Sequence, residues 1–480
     1  MEAFFKLKAN GTTISKELFA GLTTFFAMSY ILFVNPTMLS QTGMPFQGVF
    51  LATIIATIAG TLIMGLFANV PYAQAPAMGL NAFFTYTVCF ALGYTWQEAL
   101  AMVFICGIIN IIVTVSRLRK AIIQSIPVNI QYAIGGGIGI FVAYVGIKAT
   151  GLLNFTADPG AYTVLGQGAD QGKATITVNS SIVPALANMN TMHIALALVG
   201  LLVTTILVVK KVRGAFFLGI ITTTLLGIPF GVVHLNQLNW TTTSLGASFH
   251  DFGTVFGAVF SKQGLGTLFS NEHNFLQVLM TIFAFSLADT FDTIGTFIGT
   301  GKKSGIFTAE DEAAITDSQF GFKTKMDRAL LADAVATSIG AVIGTSNTTT
   351  YVESAAGIGE GGRTGLTSVF VSIFFFLTIF LSPIIALVPA EATAAALIIV
   401  GVMMMFSFAH IDWNNLEEAI PAFFASVFMG MCYSISDGIA AGFIFYTIIK
   451  VATGKIKEVH PIIWATDALF IINFIILAVL

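Results

Sequence analysis

The chain contains 480 residues, of which 56% are hydrophobic and only 9% are charged, and its mean hydropathy is +0.88. A soluble globular protein carries about 25% charged residues, so this composition excludes an ordinary soluble enzyme. A hydrocarbon core about 30 Å thick needs about 20 apolar residues per helix, which leaves room for a dozen or more spans. Runs such as 196–209 and 369–381 are apolar on every face and exclude the alternating strands of a β-barrel. The predicted fold class is an all-α polytopic membrane protein.

The first half of the chain contains seven predicted spans. The segment before them lacks an apolar run followed by a small-residue cleavage site, so we expect a short cytoplasmic segment and no signal peptide. Runs of roughly 17 to 25 apolar residues mark the spans. They lie near 18–37, 48–67, 77–93, 97–116, 128–147, 191–209 and 214–232.

Seven further spans follow in the second half. They lie near 275–299, 328–345, 352–362, 366–388, 392–409, 418–434 and 437–450. The apolar stretch 462–480 is a possible fifteenth element, and the sequence leaves open whether it crosses the membrane.

Positive charges set the orientation of these spans, because loops kept in the cytoplasm are enriched in Lys and Arg. With a cytoplasmic amino terminus, all but three of the 21 Lys and Arg residues fall on the inside. The three exceptions are Lys148, Lys173 and Lys262. This map places the polar loops 148–190 and 233–272 outside and the charged loop 302–327 inside.

The two sets of seven spans show an internal repeat. Residues 23–35 align with 280–292, and the next spans align residues 51–63 with 331–343. An odd number of spans per half inserts the second copy upside down, which gives the inverted repeat found in many secondary transporters.

The third and tenth spans are interrupted at matching places of the two halves. The third reads NVPYAQAPAMGLNAFF, where two prolines prevent regular helix before residue 78 or 79. In the tenth, GTSNTTTYVESAAGIGEGGRTG, a Thr-rich, β-like run of about seven residues precedes a short helix near 352–359. Paired interruptions of this kind indicate a transporter's binding site. Asn81 and Glu353 fall in the first turns of the two half-helices, whose free N–H groups are expected to point to the membrane centre.

Three carboxylates lie deep in apolar spans, where each costs about 2.5 to 3.5 kcal/mol on insertion scales. Asp289 and Asp292 are three residues apart and share one helical face, which Ser286 and Thr296 extend. Together with Glu353 they predict a midplane cluster that binds a neutral polar solute and holds a coupling proton. The alternative is that one or more of them caps N–H groups of a broken helix and never contacts the solute.

Other polar residues carry weaker signals. Asp333 is expected to pair with a basic residue of a loop or to pack between helices, and Asp437 to lie at a span boundary. No G-x-x-x-x-G-K-[ST] motif occurs, so transport driven by ATP within this chain is unsupported. The histidines lie at span ends or in loops without metal spacing, and no cofactor or metal is predicted. The Gly-rich run 133–147 predicts close helix packing or a sliding surface.

Four motifs resemble one known family along nearly the whole chain. They are PAMGLNAFF at Pro76, ADTFDTIGT at Ala288, GTSNTTTYVESAAGIGEGGRTGL at Gly344 and EEAIPAFF at Glu417. These motifs are similar to those of the adenine/guanine/hypoxanthine permeases (AzgA-like) of the nucleobase/ascorbate transporter superfamily. The resemblance implies a seven-plus-seven inverted repeat in the cell membrane. Its core domain would comprise spans one to four and eight to eleven (1–120 and 241–390), and its gate domain the remaining spans (121–240 and 391–480).

The same resemblance implies a function and the residues that perform it. Family substrates are purine bases (hypoxanthine, guanine, adenine), which are moved inward with protons by an elevator-like or rocking movement. Asn81, Asp289 and Glu353 match the family's base-recognition positions, and Asp292 would join Asp289 and Glu353 in proton coupling. Asn347 departs from the family, which is richer in Thr or Val there. The implied partners are a purine base, a proton and the bilayer, without nucleic acid, and a homodimer is compatible with them.

The residue chemistry agrees with a purine substrate. A neutral purine presents ring N–H groups that a carboxylate such as Glu353 accepts, while backbone N–H groups of the broken spans donate to ring nitrogens or a 6-oxo group. Phe83, Phe84 and Phe285 are candidate stacking surfaces, although core or lipid contact is the commoner role among the 45 Phe residues. A proton is expected to bind the clustered carboxylates from the outer side.

Several alternatives stay open at this point. One is a xanthine or uracil permease of the same superfamily, which the pair Asp289 and Asp292 disfavours. Another is an anion carrier of the same architecture, although Glu353 and Asp289 would repel an anion. A channel is expected to conduct without saturation, and a membrane-embedded hydrolase needs a nucleophile and base, or metal ligands, for which the sequence gives no pattern.

Overall fold

The computed structural model describes residues 2–116, 125–156, 162–165, 175–178, 183–212, 214–234, 245–270, 275–297, 306–307, 324–381 and 387–479. Lys173 and most of the predicted cytoplasmic loop 302–327 lie outside these ranges. Within the described ranges the chain is predominantly helical, with three short pairs of strands. The predicted class of a helical membrane protein is therefore confirmed.

Helices α1 to α9 come from the first half of the chain. Their bounds are Glu2–Phe5 (α1), Ile14–Met28 (α2), Ile31–Leu39 (α3), Phe46–Ile63 (α4), Met78–Ala82 (α5), Trp96–Ser116 (α6), Val128–Ala149 (α7), Met192–Val209 (α8) and Ala215–Gly227 (α9). The π-helical segments Met64–Ala68 and Phe83–Ala91 prolong α4 and α5.

Helices α10 to α20 follow in the second half. Their bounds are Leu245–Val255 (α10), Leu265–Leu268 (α11), Phe275–Thr296 (α12), Lys325–Ile343 (α13), Ser354–Gly359 (α14), Gly365–Thr378 (α15), Ala390–Met404 (α16), Leu416–Phe423 (α17), Met429–Met431 (α18), Ile435–Ala452 (α19) and Pro461–Val479 (α20). Short 3-10 segments prolong α15 and α16, and the π-helical segment Phe424–Phe428 joins α17 to α18.

Eight helical stretches of the described chain are long and apolar enough to cross a membrane. They coincide with the predicted first, second, fourth, fifth, sixth, eighth, twelfth and fourteenth spans. Four shorter apolar helices coincide with the third, seventh and eleventh spans and with the carboxyl-terminal stretch, and their bounds are Met78–Ala91, Ala215–Gly227, Gly365–Thr378 and Pro461–Ile472. The ninth predicted span corresponds to α13, which is 19 residues long but carries charged residues such as Asp327 and Asp333.

Local sequence signals explain where α13 begins and ends. The Thr324 hydroxyl accepts a hydrogen bond from the Asp327 N–H, and the Asp327 carboxylate accepts one from the Thr324 N–H. This reciprocal capping box satisfies two of the free N–H groups at the helix start. Gly344 ends the helix with a φ of 104°, a left-handed conformation that glycine adopts without a steric penalty.

The predicted first span, 18–37, is not one continuous helix. α2 ends at Met28 and α3 begins at Ile31, with a turn at Ser29 and Tyr30 between them. The Ser29 carbonyl accepts the N–H three residues later, at Leu32, which tightens the backbone there. Apolar periodicity alone does not show this interruption, because all residues around it are apolar or small.

The polar stretch 233–272, predicted to be external, contains α10 and α11, two helices that were not predicted from the sequence. Phe249, Phe252 and Phe256 recur at helical spacing within it, a pattern hidden by its polar composition. The Ser248 hydroxyl on α10 donates to Gln47 at the start of α4, over 3.1 Å. The segment therefore packs on the amino-terminal end of α4, in the second span.

Three antiparallel strand pairs complete the fold. β2 (Leu153–Thr156) pairs with β5 (Val183–Leu186), and β3 (Tyr162–Leu165) pairs with β4 (Thr175–Val178), all within the predicted external loop 148–190. β1 (Gln74–Pro76) pairs with β6 (Thr348–Thr350). The predicted β-like run of the tenth span is thus a strand of three residues rather than about seven.

The Gly-rich run in α7 packs closely against α16. A Cβ atom on Gly139 would lie 2.6 Å from the carbonyl oxygen of Gly401, and a Cβ atom on Gly401 would lie 2.5 Å from the carbonyl oxygen of Gly139. Only glycine permits this reciprocal approach of two helix backbones. Of the two predicted roles of the run, close packing is the one that the structure contains.

Candidate functional site

The two broken spans meet at the strand pair β1–β6. Ala75 lies opposite Thr349, and all six strand residues are buried. Backbone bonds continue on both sides of the pair: the Ala77 N–H donates to the Asn347 carbonyl (2.9 Å), and the Tyr351 N–H donates to the Ala73 carbonyl (3.0 Å). The pairing satisfies buried backbone groups that neither interrupted span satisfies by itself. It also holds the start of α5 beside the segment that leads into α14.

Asp333 on α13 links this strand pair to two helices. Its Oδ1 accepts hydrogen bonds from the N–H of Thr350 (2.9 Å), the hydroxyl of Thr350 (2.7 Å) and the Nε2 of Gln74 (3.2 Å). Its Oδ2 accepts a bond from the Thr293 hydroxyl on α12 (2.7 Å). The side chain is 3% exposed and packs between helices, which was one of its two predicted roles.

Asp289 lies in a second buried network between α6, α12 and α13. Its Oδ2 accepts hydrogen bonds from the Nδ2 of Asn110 (2.8 Å) and the hydroxyl of Thr337 (3.1 Å), and the residue is 1% exposed. The Thr337 hydroxyl also lies 3.2 Å from the carbonyl oxygen of Thr348, which connects this network to β6. The Ser286 hydroxyl donates to the Oδ1 of Asn110.

Glu353 and Asp292 lie together and are both partly exposed, in contrast to Asp289. Glu353 immediately precedes α14, and its Oε1 accepts a 2.6 Å hydrogen bond from the Tyr30 hydroxyl. The carboxylates of Glu353 and Asp333 interact electrostatically with Asp292. Interacting carboxylates repel one another when they are ionised, and a bound proton relieves that repulsion.

Asn81 lies in α5, the half-helix that begins at Met78 as predicted. Its Oδ1 accepts a hydrogen bond from the Ser346 hydroxyl, and the side chain is fully buried. Its Nδ2 has no hydrogen-bond partner among the described residues. Leaving a buried amide donor unsatisfied costs about 1 to 3 kcal/mol, so an acceptor atom of a bound solute would be stabilised here.

The three candidate stacking residues are all fully buried. The rings of Phe83 and Phe285 contact each other edge to face, with centroids 4.6 Å apart. This contact joins the continuation of the first half-helix to α12, and Phe84 lies in the same hydrophobic core. Among the described residues, no group of three or more His, Cys, Asp or Glu side chains is arranged to hold a metal ion.

Sequence reasoning did not single out Tyr30 or Asn110, and it gave Asp333 a minor role. Asn110 carried a usable signal, because it is a lone amide inside the apolar run GIINIIV. Asp333 carried the same kind of signal as Asp289, a carboxylate within a span. Tyr30 carried none, since one tyrosine in an aromatic-rich span is unremarkable until Glu353 is placed next to it.

Comparison with known proteins agrees with these observations. A family model described as a permease family (Xan_ur_permease) matches residues 15–441. The chain is 38% identical over 479 residues to the guanine/hypoxanthine permease PbuO of Bacillus subtilis (strain 168), covering 98% of this chain and 100% of that protein. It is 37% identical over 475 residues to the adenine permease AdeP of Escherichia coli (strain K12), covering 99% of this chain and 96% of that protein.

Solved structures with the same fold share little sequence with this chain. The transmembrane domain of the cyanobacterial bicarbonate transporter BicA superimposes with a TM-score of 0.57 at 14% identity, covering 88% of this chain and 97% of that one. SLC26A9 superimposes with a TM-score of 0.56 at 12% identity, covering 92% of this chain and 66% of that one. Such similarity shows the fold alone.

Proposed function

The chain belongs to the permease family (Xan_ur_permease) of the nucleobase/ascorbate transporter superfamily, and from this premise we propose that it imports purine nucleobases together with protons. The two relatives described above are named for guanine, hypoxanthine and adenine, which are all neutral purines. The observation that carries the proposal is the position of Glu353. This carboxylate precedes one half-helix, lies beside Asp292, and is connected through the β1–β6 pair to the other half-helix.

Base recognition needs both acceptors and donors, since a purine has ring N–H groups as well as unprotonated ring nitrogens. Glu353 supplies the acceptor for a ring N–H, and the unsatisfied Nδ2 of Asn81 supplies a donor for a ring nitrogen or a 6-oxo group. Asp289 completes the recognition set expected from the family, and its bond to Thr337 connects it to β6. The half-helix α14 has only six residues, so its dipole adds little to these side-chain contacts.

Proton coupling is assigned to Glu353, Asp292 and Asp289. A proton bound within the cluster reduces the repulsion between Asp292 and its acidic neighbours, and a base N–H bound to Glu353 does so as well. Proton and base therefore stabilise the same loaded site. Release of either one toward the cytoplasm restores the repulsion and favours release of the other.

The proposed architecture has fourteen spans in a seven-plus-seven inverted repeat, in the cell membrane, with the amino terminus in the cytoplasm. Two contacts support it. The β1–β6 pair joins the third and tenth spans, and the reciprocal Gly139–Gly401 approach joins the fifth and twelfth. Each contact links the equivalent members of the two proposed copies. The core domain (1–120 and 241–390) would then move against the gate domain (121–240 and 391–480) to alternate access.

Uptake into liposomes tests the function. Purified protein should accumulate radiolabelled hypoxanthine when an inward proton gradient is imposed, and unlabelled guanine or adenine should compete more strongly than xanthine or uracil. Accumulation that is equal with and without the gradient would refute proton coupling. Uptake that none of these bases inhibits would refute base transport.

A substitution tests the role of Glu353. Glu353→Gln removes the charge while keeping the shape, and we expect hypoxanthine uptake to fall at least about tenfold, because a charge-assisted hydrogen bond to the base is lost. Glu360→Gln is the matched control, since it makes the same change at the other end of α14. Equal uptake by the two variants would remove Glu353 from the site.

A further inference from the structure

Tyr30 lies at the interruption of the first span. It precedes α3, and its carbonyl oxygen accepts hydrogen bonds from the N–H groups of both Phe33 (3.1 Å) and Val34 (3.0 Å). The residue is 1% exposed, so the turn places a tyrosine side chain in the protein interior. A buried phenol hydroxyl needs a hydrogen-bond partner.

The partner of this hydroxyl is Glu353. The Tyr30 O–H donates to Oε1 over 2.6 Å, a length typical of hydrogen bonds between a hydroxyl and a carboxylate. This bond occupies Oε1 of Glu353, and Oε2 can accept a hydrogen bond from another group. Among the described residues, two other titratable side chains interact with this carboxylate: Tyr351, from the segment between β6 and α14, and Asp292, from α12. Asp333 interacts in turn with Asp292.

The ring of Tyr30 contacts aromatic residues from two different parts of the fold. Its centroid lies 5.3 Å from that of Phe216 on α9 and 6.4 Å from that of Tyr351. The Tyr351 hydroxyl donates in turn to the carbonyl of Pro76 in β1 (2.6 Å). Tyr30 therefore contacts the site carboxylate, a tyrosine of the tenth span that hydrogen-bonds the third span, and a helix of the proposed gate domain.

We propose that Tyr30 is a positioning residue for transport. Its hydroxyl fixes the direction of the Glu353 carboxylate, and its ring contacts Phe216, so a change in the hydrogen bonding of Glu353 alters the contact between Tyr30 and Phe216. This inference rests on the proposed function of the site. The hydroxyl donates more strongly to an ionised carboxylate than to a neutral carboxyl group. Proton or base binding at Glu353 then weakens the bond to Tyr30, and Tyr30 is free to shift against α9 as access alternates.

Tyr30→Phe tests this role while keeping the ring contacts. We expect the KM for hypoxanthine to rise about tenfold, because the Glu353 carboxylate loses the group that orients it. The hydroxyl favours the ionised carboxylate, so without it the proton-bound form persists to higher pH. The alkaline limb of the uptake profile should therefore move upward by about one pH unit.

Tyr86→Phe is the matched control, since it removes another buried hydroxyl, one that donates to the side-chain amide oxygen of Gln41 (3.3 Å) instead of a carboxylate. We expect it to lower the melting temperature without moving the pH profile. If Tyr30→Phe leaves both KM and the pH profile unchanged, or if both variants shift the profile equally, Tyr30 has only a packing role and the proposal is wrong.

A double-mutant cycle separates this proposal from the proposed function. The melting temperatures of wild type, Tyr30→Phe, Glu353→Gln and the double variant are compared without any substrate. We expect the loss caused by Tyr30→Phe to be smaller when Glu353→Gln is already present, because the partner is then neutral. Additive losses would refute the Tyr30–Glu353 coupling even if purine uptake is confirmed, and coupling without purine uptake would refute only the transport function.

Discussion

Asp289 and Asp292 are carboxylates three residues apart on one helix, yet their surroundings differ. Asp289 is buried and accepts hydrogen bonds from Asn110 and Thr337. Asp292 is partly exposed and has Glu353 and Asp333 as electrostatic neighbours of the same sign. The hydrogen bonds to Oδ2 give Asp289 a role in stabilising the fold in addition to its proposed role in transport, whereas Asp292, among like charges, is suited mainly to exchange a proton.

Amide substitutions at these two positions should therefore affect the melting temperature differently. Asp289→Asn presents an NH₂ group to donors and should lower the melting temperature by several degrees, corresponding to about 2 to 4 kcal/mol. Asp292→Asn relieves repulsion and should leave the melting temperature equal or higher, but uptake should no longer respond to a proton gradient. Differential scanning fluorimetry and liposome uptake measure the two effects. Equal destabilisation by both variants would contradict this distinction.

At the scale of elements, the half-helix α14 approaches α2 unusually closely. A Cβ atom on Gly357 would lie 2.1 Å from the hydroxyl oxygen of Thr24 and 2.4 Å from the carbonyl oxygen of Ala20. Beyond the other end of α14, the Arg363 N–H donates to the Glu17 carboxylate on α2 (3.0 Å). The first span therefore supports α14 along its length, in addition to the contact between Tyr30 and Glu353.

Two glycines of this half-helix provide a matched pair. Gly357→Ala forces a methyl group against backbone and should destabilise the protein by about 1 to 3 kcal/mol or more, as overpacking does. It should also reduce base uptake, because Glu353 directly precedes α14. Gly359→Ala adds the same methyl group where no atom lies within 4 Å, and we expect a stability within about 0.5 kcal/mol of wild type in thermal melts. A tolerated Gly357→Ala would show that the two helices can separate without loss of function.

The elements differ in how far the sequence determined them. Long apolar runs predicted most spans to within a few residues, and the prolines of NVPYAQAPAM located the start of α5 at Met78. The interruption at Tyr30 and the helix α10 were missed, since the first lies within uniform apolarity and the second within polar composition. Carboxylates in spans were visible as costly residues, but their partners were not. Asn110 and Asp289 are 179 positions apart, and only the fold brings them together.

At the scale of the whole molecule, the distribution of Lys and Arg implies a definite sidedness. The strand pair β2–β5 follows Lys148, one of only three cations predicted to lie outside, and Lys457 lies in the turn between α19 and α20, predicted to be inside. Both sides are accessible at exposed residues, Asn154 in β2 and Lys457. The proposed orientation can therefore be measured directly.

Labelling of single introduced cysteines tests the proposed orientation. The three native cysteines, Cys89, Cys106 and Cys432, are first replaced by serine. In intact cells a membrane-impermeant maleimide should label Asn154→Cys at once. It should label Lys457→Cys only after the membrane is permeabilised. The reverse pattern would invert the proposed topology, and labelling of both sites in intact cells would contradict an odd number of spans between them.

The pairing of β1 with β6 also has a consequence for biosynthesis. Gln74 and Thr350 are 276 positions apart, so the backbone groups of the first broken span have no strand partner until most of the chain has been made. At about 5 to 20 residues per second, this delay amounts to roughly 15 to 55 s. Unpaired backbone is costly in lipid, so the nascent first half requires shelter during that interval, in the translocation machinery or beside an insertion factor. Substitutions that weaken the strand pair are therefore expected to reduce the yield of inserted protein before they affect transport by the molecules that do fold.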